Sequence, residues 1–209
     1  GAGAYKGTSS IEGNEDNTAY EIGHFLSLAT KSNPSILEVF KAPVVQMEGL
    51  SFNNYGASLR NLFPEVWNTN DVLNAFKGYS HQQHKKMFDE RVEFASRRGK
   101  YAIAHIRVLL QGIELLSAGD LHVEVQHTYE VPLRHDSLSP DVAGLAIDGW
   151  RDFLMAVREN QLTVGEIVDT AENLKEILDE LAANGPYADK LTNLEAVNEF
   201  LLRVRKEIW

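Results

Sequence analysis

Apolar side chains recur every three or four positions along most of the chain, and this spacing constrains the fold more than any other feature. It is the spacing of an amphipathic helix, whose apolar residues lie on one face. Because it is sustained over many segments, we predict a mainly α-helical chain. The predicted helices cover about 22–29, 72–96, 100–118 and 147–159, with near-heptad stripes over 167–181 and 194–208.

Local signals set several boundaries of this pattern. Gly119 follows the helix predicted over 100–118 and is a typical C-terminal stop. Thr163 and Glu166 match a capping box, which predicts the start of the next-to-last helix. One stretch alternates instead: Leu121, Val123 and Val125 are separated by polar residues, which predicts a short, half-exposed strand.

Composition excludes some classes of protein. The chain has no cysteine, so disulfides and thiolate metal sites are excluded. No apolar run approaches the roughly 18 residues of a membrane span, and Gly1–Gly13 lacks the apolar core of a signal peptide. We therefore expect a cytoplasmic protein that does not bind membranes.

Charge is unevenly distributed along the chain. The formal net charge is −10, which disfavours general attraction to nucleic acid. Residues 71–118, however, contain eight Lys/Arg and five Asp/Glu, whereas residues 147–209 contain seven and thirteen. We therefore expect a phosphate-bearing ligand to bind the middle of the chain and not its end.

A few polar residues are candidates for chemistry. Glu15 and Asp16 stand at the entrance of the first helix, either as charges that complement its dipole or as a ligand for a divalent metal such as magnesium. Lys31, before a helix-breaking proline, is a candidate phosphate contact. Lys100 and Arg107 share one helix face with Gln111 and Glu114, so they either bind phosphate or belong to an ordinary solvated face. His81 and His84 are spaced as metal ligands, without a third ligand, so hydrogen bonding or contact with an anion is the preferred interpretation.

Several runs of residues resemble one family in order and spacing. The chain is similar, over about residues 12–180, to predicted nucleotidyltransferases of the DNA-polymerase-β superfamily that are grouped with RNA-repair proteins. The runs are Glu15-Asp16-Asn17-Thr18-Ala19-Tyr20-Glu21, Phe25-Leu26, Asn33-Pro34-Ser35-Ile36-Leu37-Glu38-Val39, Gly78-Tyr79, Lys100-Tyr101-Ala102, Arg107 to Leu116, Gly119-Asp120-Leu121 and Thr163 to Ile167.

The resemblance implies a metal-dependent site. The family has a Gly-Ser loop that cradles a triphosphate and an Asp-x-Asp pair that binds two magnesium ions, both expected before residue 12. A third carboxylate completes the set and falls on Asp16, which is thus the predicted catalytic residue and metal ligand. If the run Ala2-Gly3-Ala4-Tyr5-Lys6-Gly7 aligns with the pair, Ala2 and Ala4 replace its aspartates; otherwise the run is a cloning remnant. Either way, the chain as printed is expected to be inactive.

The fold implied by the resemblance is α+β. We expect a small N-terminal mixed sheet, partly absent, followed by a mainly α-helical domain. Residues 1–69 would be the remnant of the nucleotidyltransferase-like domain, and residues 70–209 would be the helical domain.

The implied function is magnesium-dependent transfer of a nucleotidyl group from a nucleoside triphosphate to RNA or another acceptor. Residues Lys31, Lys100 and Arg107 are the predicted nucleotide-binding residues. Two alternatives stay open. One is an inactive module of the same fold that binds nucleotide or nucleic acid, and the other is a helical interaction scaffold. A Gly-Ser loop and an Asp-x-Asp pair upstream of Asp16 would favour the enzyme.

Overall fold

The computed structural model describes residues 8–10, 18–43, 55–91, 97–126 and 147–208. These residues form two short strands and nine helices. The elements are β1 (Thr8–Ser10), β2 (Thr18–Tyr20), α1 (Ile22–Ala29), α2 (Pro34–Lys41), α3 (Tyr55–Asn61), α4 (Phe63–Val66), α5 (Thr69–Met87), α6 (Arg98–Ala118), α7 (Trp150–Arg158), α8 (Val164–Asn184) and α9 (Leu194–Ile208).

Backbone contacts divide the chain into two compact units. Unit 1 comprises Gly1–Asn68 together with Leu191–Trp209, and unit 2 comprises Thr69–Lys190. The last helix, α9, therefore groups with the N-terminal elements. The domains expected from the sequence, a remnant over 1–69 and a helical domain over 70–209, stay a prediction.

The expected α+β fold with a small N-terminal mixed sheet is wrong, because the described residues are nearly all helical. Within the described ranges, the strands are β1 and β2 alone, and they pair antiparallel with Ser9 opposite Ala19. A mixed sheet also needs a parallel pair, whose crossover takes a dozen or more residues. Residues 11–17, which separate the two strands, are too few for such a crossover, and every described element after β2 is a helix.

In unit 1, side chains cap the first two helices, α1 and α2. The Glu21 carboxylate accepts a hydrogen bond from the His24 backbone N–H at 2.8 Å, which caps α1. The pKa of Glu21 is lowered, first by the Gly23 backbone N–H. Phe40 joins the aromatic core of this unit, with ring centroids 5.3 Å from Phe25 and 5.9 Å from Phe63.

Unit 2 is a helical bundle around α6. Eleven residues of α6 are buried, and the helix packs against α5, α7 and α8. Gly112 lies where three helices meet: a Cβ there would be 3.0 Å from Phe76 Cδ1 and 3.2 Å from Leu178 Cδ1. The absence of a side chain at this position therefore lets α5 and α8 approach α6 closely.

Helix ends follow the sequence signals in most places. Both hydrogen bonds of the predicted capping box join Thr163 and Glu166, so that prediction is confirmed. Gly119 ends α6 in the left-handed conformation with φ 74°, as predicted. The long helix predicted over 72–96 is shorter: α5 ends at Met87, and residues 92–96 lie outside the described ranges.

The strand predicted at Leu121, Val123 and Val125 is wrong. Residues 121–126 are irregular, and no described strand lies beside them to complete a ladder. Side chains of α6 hydrogen-bond to this segment instead. Among the described helices, none is long and apolar enough to cross a membrane.

Candidate functional site

A groove in unit 2 joins two adjoining pockets. The first has a volume of about 510 Å³ and the second about 410 Å³, and both are lined by Ile103 and Arg158. These volumes are in the range of ligand sites. We call the two together the basic groove, because six of its described lining residues are cations: Arg97, Arg98, Lys100, Arg107, Arg151 and Arg158.

The cations come mainly from two helices. Lys100 of α6 and Arg158 of α7 line the first pocket, whereas Arg107 of α6 and Arg151 of α7 line the second. Within each helix the two cations are seven residues apart, which is about 10 Å along the helix axis. Since the order is reversed between the helices, α6 and α7 run antiparallel along the groove with cations on both sides.

The two pockets differ in polarity. The described lining of the first pocket is dominated by cations and contains no carboxylate. The second pocket combines its arginines with apolar residues from α6 and α7, Ile103, Leu154 and Met155. Met155 is 45 % exposed, so part of this apolar surface is open to solvent. Glu124 is the one carboxylate among the described residues that line the basic groove.

The wall of the second pocket is held in place by α6. Gln111, which is buried, donates from Nε2 to the His122 carbonyl at 3.1 Å. Glu114 accepts from the His122 backbone N–H at 2.9 Å and also contacts His122 Nδ1. Residues 121–126 thereby present Val123, Glu124 and Val125 to the pocket. The polar face predicted on α6 is thus divided, with its first half in the groove and its second half anchoring this segment.

The first pocket is held by contacts between helix ends. Arg98 donates from Nε to the Met87 carbonyl at 3.1 Å, which ties the start of α6 to the end of α5. A Cβ on Gly99 would lie 3.6 Å from the Arg158 carbonyl oxygen, so the first turn of α6 and the last turn of α7 are close neighbours. The start of α6 is therefore tied to α5 and lies close to the end of α7.

The histidines form a separate cluster. The ring centroids of His84 and His105 are 5.3 Å apart, and those of His84 and His81 are 6.4 Å apart. Desolvation is the main cause of the lowered pKa of His84. No group of three His, Cys, Asp or Glu within the described ranges is arranged to hold a metal ion.

The predicted site residues fall into three places. Asp16 lies outside the described residues. Lys31 is exposed after the end of α1 in unit 1, and Lys100 and Arg107 line the basic groove of unit 2. The structure therefore brings Lys100 and Arg107 into one groove.

Four arginines of the groove were missed from the sequence, namely Arg97, Arg98, Arg151 and Arg158. A signal was present for two of them, because Arg151 and Arg158 are seven residues apart on a predicted helix and so share its polar face. The net negative charge of residues 147–209 obscured this signal, because a sum over the whole segment does not separate the helix face with the two arginines from the acidic faces.

One family accounts for almost the whole chain. The family described as the RNA repair pathway DNA polymerase beta family, RlaP, matches residues 6–203. No curated protein and no solved structure gives a significant match. The resemblance stated from the sequence runs is therefore confirmed by the family match.

Proposed function

Because the chain belongs to the RNA repair pathway DNA polymerase beta family, we propose that the complete protein is a magnesium-dependent nucleotidyltransferase that acts on RNA. It would transfer a nucleotidyl group from a nucleoside triphosphate to an RNA acceptor. The family match over residues 6–203 carries this proposal. The basic groove supports it, since a chain with a net charge of −10 gathers six cations along one groove.

The proposed magnesium ligand is Asp16. A carboxylate oxygen is the kind of hard ligand that magnesium takes in proteins. Bound magnesium would stabilise charge on the phosphate oxygens during transfer. The run from Ala2 to Gly7 contains no carboxylate.

The cationic residues have a binding role in this proposal. Lys31 is proposed to contact the triphosphate, and Lys100 and Arg107 are proposed to contact phosphates of the nucleotide or of its acceptor. Arginine suits this role because its planar fork forms paired hydrogen bonds with phosphate oxygens, and lysine contributes a compact charge. These residues bind and orient, and they transfer no proton.

Isothermal titration calorimetry tests the nucleotide site. The protein is titrated with ATP, CTP, GTP and UTP, with and without magnesium, alongside Asp16→Asn, Lys31→Gln and the control Asp169→Asn. The control removes one exposed carboxylate of α8. We expect magnesium-dependent binding that weakens in Asp16→Asn and Lys31→Gln and is unchanged in Asp169→Asn. Binding that is absent for all four triphosphates, or equal in Asp16→Asn and wild type, would refute the nucleotide site.

An inactive binding module is the second candidate. It is favoured if the run from Ala2 to Gly7 corresponds to the Asp-x-Asp pair of the family, because Ala2 and Ala4 then replace its aspartates; if the run is a cloning remnant, it favours neither candidate. A protein of this kind binds nucleotide but incorporates none into RNA. The same titration combined with a transfer assay on the complete protein separates the two candidates.

A further inference from the structure

We propose that the basic groove binds a single strand of RNA, with a phosphate in the first pocket and an unstacked base in the second. This inference rests on the proposed function in one respect, since it identifies the groove as the place of the RNA acceptor. It is narrower than the proposed function in one respect: Lys100 and Arg107 contact the acceptor strand and not the incoming triphosphate.

The alternation of chemistry along the groove is the first argument. A polynucleotide strand presents phosphates and bases side by side, and the groove presents a cationic pocket beside a partly apolar one. Cations neutralise the phosphates, whereas bases stack on apolar and arginine surfaces. Neighbouring pockets that share Ile103 and Arg158 match neighbouring groups of one strand.

The second argument concerns the first pocket. Its described lining contains Arg97, Arg98, Lys100 and Arg158 and no carboxylate. Within the described residues, no carboxylate pairs with Arg97, Lys100 or Arg158. These three side chains are also exposed, so they are accessible to an anionic group that enters the pocket.

The third argument concerns the second pocket and favours a single strand over a duplex. Its apolar surface is formed by Ile103, Leu154 and the exposed Met155. Such a surface can pack against the flat face of a base, whereas it offers no favourable contact to a charged phosphate. In a duplex that face is covered by its neighbours, whereas an unpaired base can turn out and stack on the protein. Arg107 and Arg151, which flank this surface, stack on bases as well as bind phosphates.

The test measures RNA binding in the absence of magnesium, first without nucleotide and then with excess ATP as a competitor. A fluorescent twelve-nucleotide single-stranded RNA is titrated with the protein at several salt concentrations, and fluorescence anisotropy gives Kd. The test variant is Arg151→Gln/Arg158→Gln, both positions being exposed on α7. The matched control is Arg203→Gln, an exposed arginine of α9 in unit 1. Arg158→Lys keeps the charge, and thermal melting of every variant verifies folding.

We expect the double variant to bind RNA about tenfold more weakly. We expect its plot of log K against log salt to be shallower by about 0.7, since the one phosphate contact of Arg158 in the first pocket is lost, whereas Arg151 stacks on the base in the second. Arg203→Gln should bind as wild type does, and Arg158→Lys should lie between wild type and the double variant. Excess ATP without magnesium should leave the RNA bound.

Three results would overturn the proposal. The folded double variant binds RNA with the wild-type Kd, a duplex of equal length binds as tightly as the single strand, or ATP displaces the RNA. The last result would mean that Lys100 and Arg107 bind the phosphates of the triphosphate and not those of the RNA. Failure of the nucleotidyltransferase proposal is a separate observation, because it appears as an absence of transfer by a protein that still binds RNA in the groove.

Discussion

At the scale of single residues, His105 is a fully buried titratable group of unit 2. It is 0 % exposed in α6, and its Nδ1 is 3.0 Å from the Ser80 carbonyl oxygen, so Nδ1 donates. The Ser80 hydroxyl donates in turn to the His105 carbonyl at 3.1 Å. Within the described residues, His105 Nε2 is buried without a hydrogen-bond partner. Burial is the main cause that lowers the pKa of His105 to about 4, and the neighbouring His84 lowers it further.

Stability should therefore depend on pH through His105. Between pH 6.5 and about 4 the unfolded chain binds a proton at His105 that the folded chain does not, so the free energy of unfolding decreases as pH falls through this window. The loss is at most about 3 kcal/mol, given 1.36 kcal/mol for each pKa unit. Urea unfolding at pH 7.5, 6 and 4.5 measures it.

The comparison is between His105→Gln and His81→Gln, since His81 is exposed on α5. The first variant is expected to be less stable at pH 7.5 and to show a flatter pH dependence than wild type. The second is expected to keep the wild-type dependence. An equal slope in wild type and His105→Gln would contradict the assignment of this titration to His105.

At the scale of elements, the end of α6 depends on one residue without a side chain. Gly119 has φ 74°, and a Cβ there would collide with the hydroxyl group of Tyr187. The Tyr187 hydroxyl also donates to the Ala118 carbonyl at 3.2 Å, and this hydrogen bond holds it beside the end of α6. Residues 121–126, which form a wall of the basic groove, begin two residues later.

Alanine substitutions at two glycines should therefore act in opposite directions. Gly119→Ala should lower the free energy of unfolding by more than about 1 kcal/mol, from the left-handed conformation and the contact with Tyr187. Gly78→Ala lies in the interior of α5, where a Cβ meets nothing within 4 Å, and should raise it by about 0.5–1 kcal/mol. Chemical denaturation of both variants measures this, and a neutral Gly119→Ala would contradict the described helix end.

Glu124, in the irregular segment after α6, is the one carboxylate among the described residues that line the basic groove. Removing it with Glu124→Gln should tighten RNA binding about twofold, because an exposed like charge near the phosphates costs a few tenths of a kcal/mol. The control is Glu176→Gln, an exposed carboxylate of α8 that does not line the groove. Anisotropy at low salt gives both Kd values. Weaker binding by Glu124→Gln would mean that this carboxylate accepts a hydrogen bond from the ligand.

At the scale of the whole molecule, helices were predictable and their partners were not. The periodicity near 22–29 and the capping box at Thr163 depend on neighbouring residues, and both are found in the structure. The strand at 121–125 was mispredicted because a strand needs a neighbour, which alternation alone does not supply. Two of the six cations of the groove were predictable for a related reason: Lys100 and Arg107 lie on one helix, whereas Arg151 and Arg158 are brought beside them by the packing of α7 on α6.

The family assignment concerns the whole chain and raises the most consequential question, which is whether nucleotide is transferred to RNA. The direct measurement incubates the protein, expressed from its complete coding sequence, with single-stranded RNA and each labelled nucleoside triphosphate, with and without magnesium, and resolves the RNA on a denaturing gel. We predict labelled RNA that requires magnesium, that is lost in Asp16→Asn and that persists in Asp169→Asn. Two results would contradict the proposed transfer to RNA. One is RNA that stays unlabelled with all four triphosphates although the protein is folded, and the other is equal labelling by Asp16→Asn and the wild-type protein.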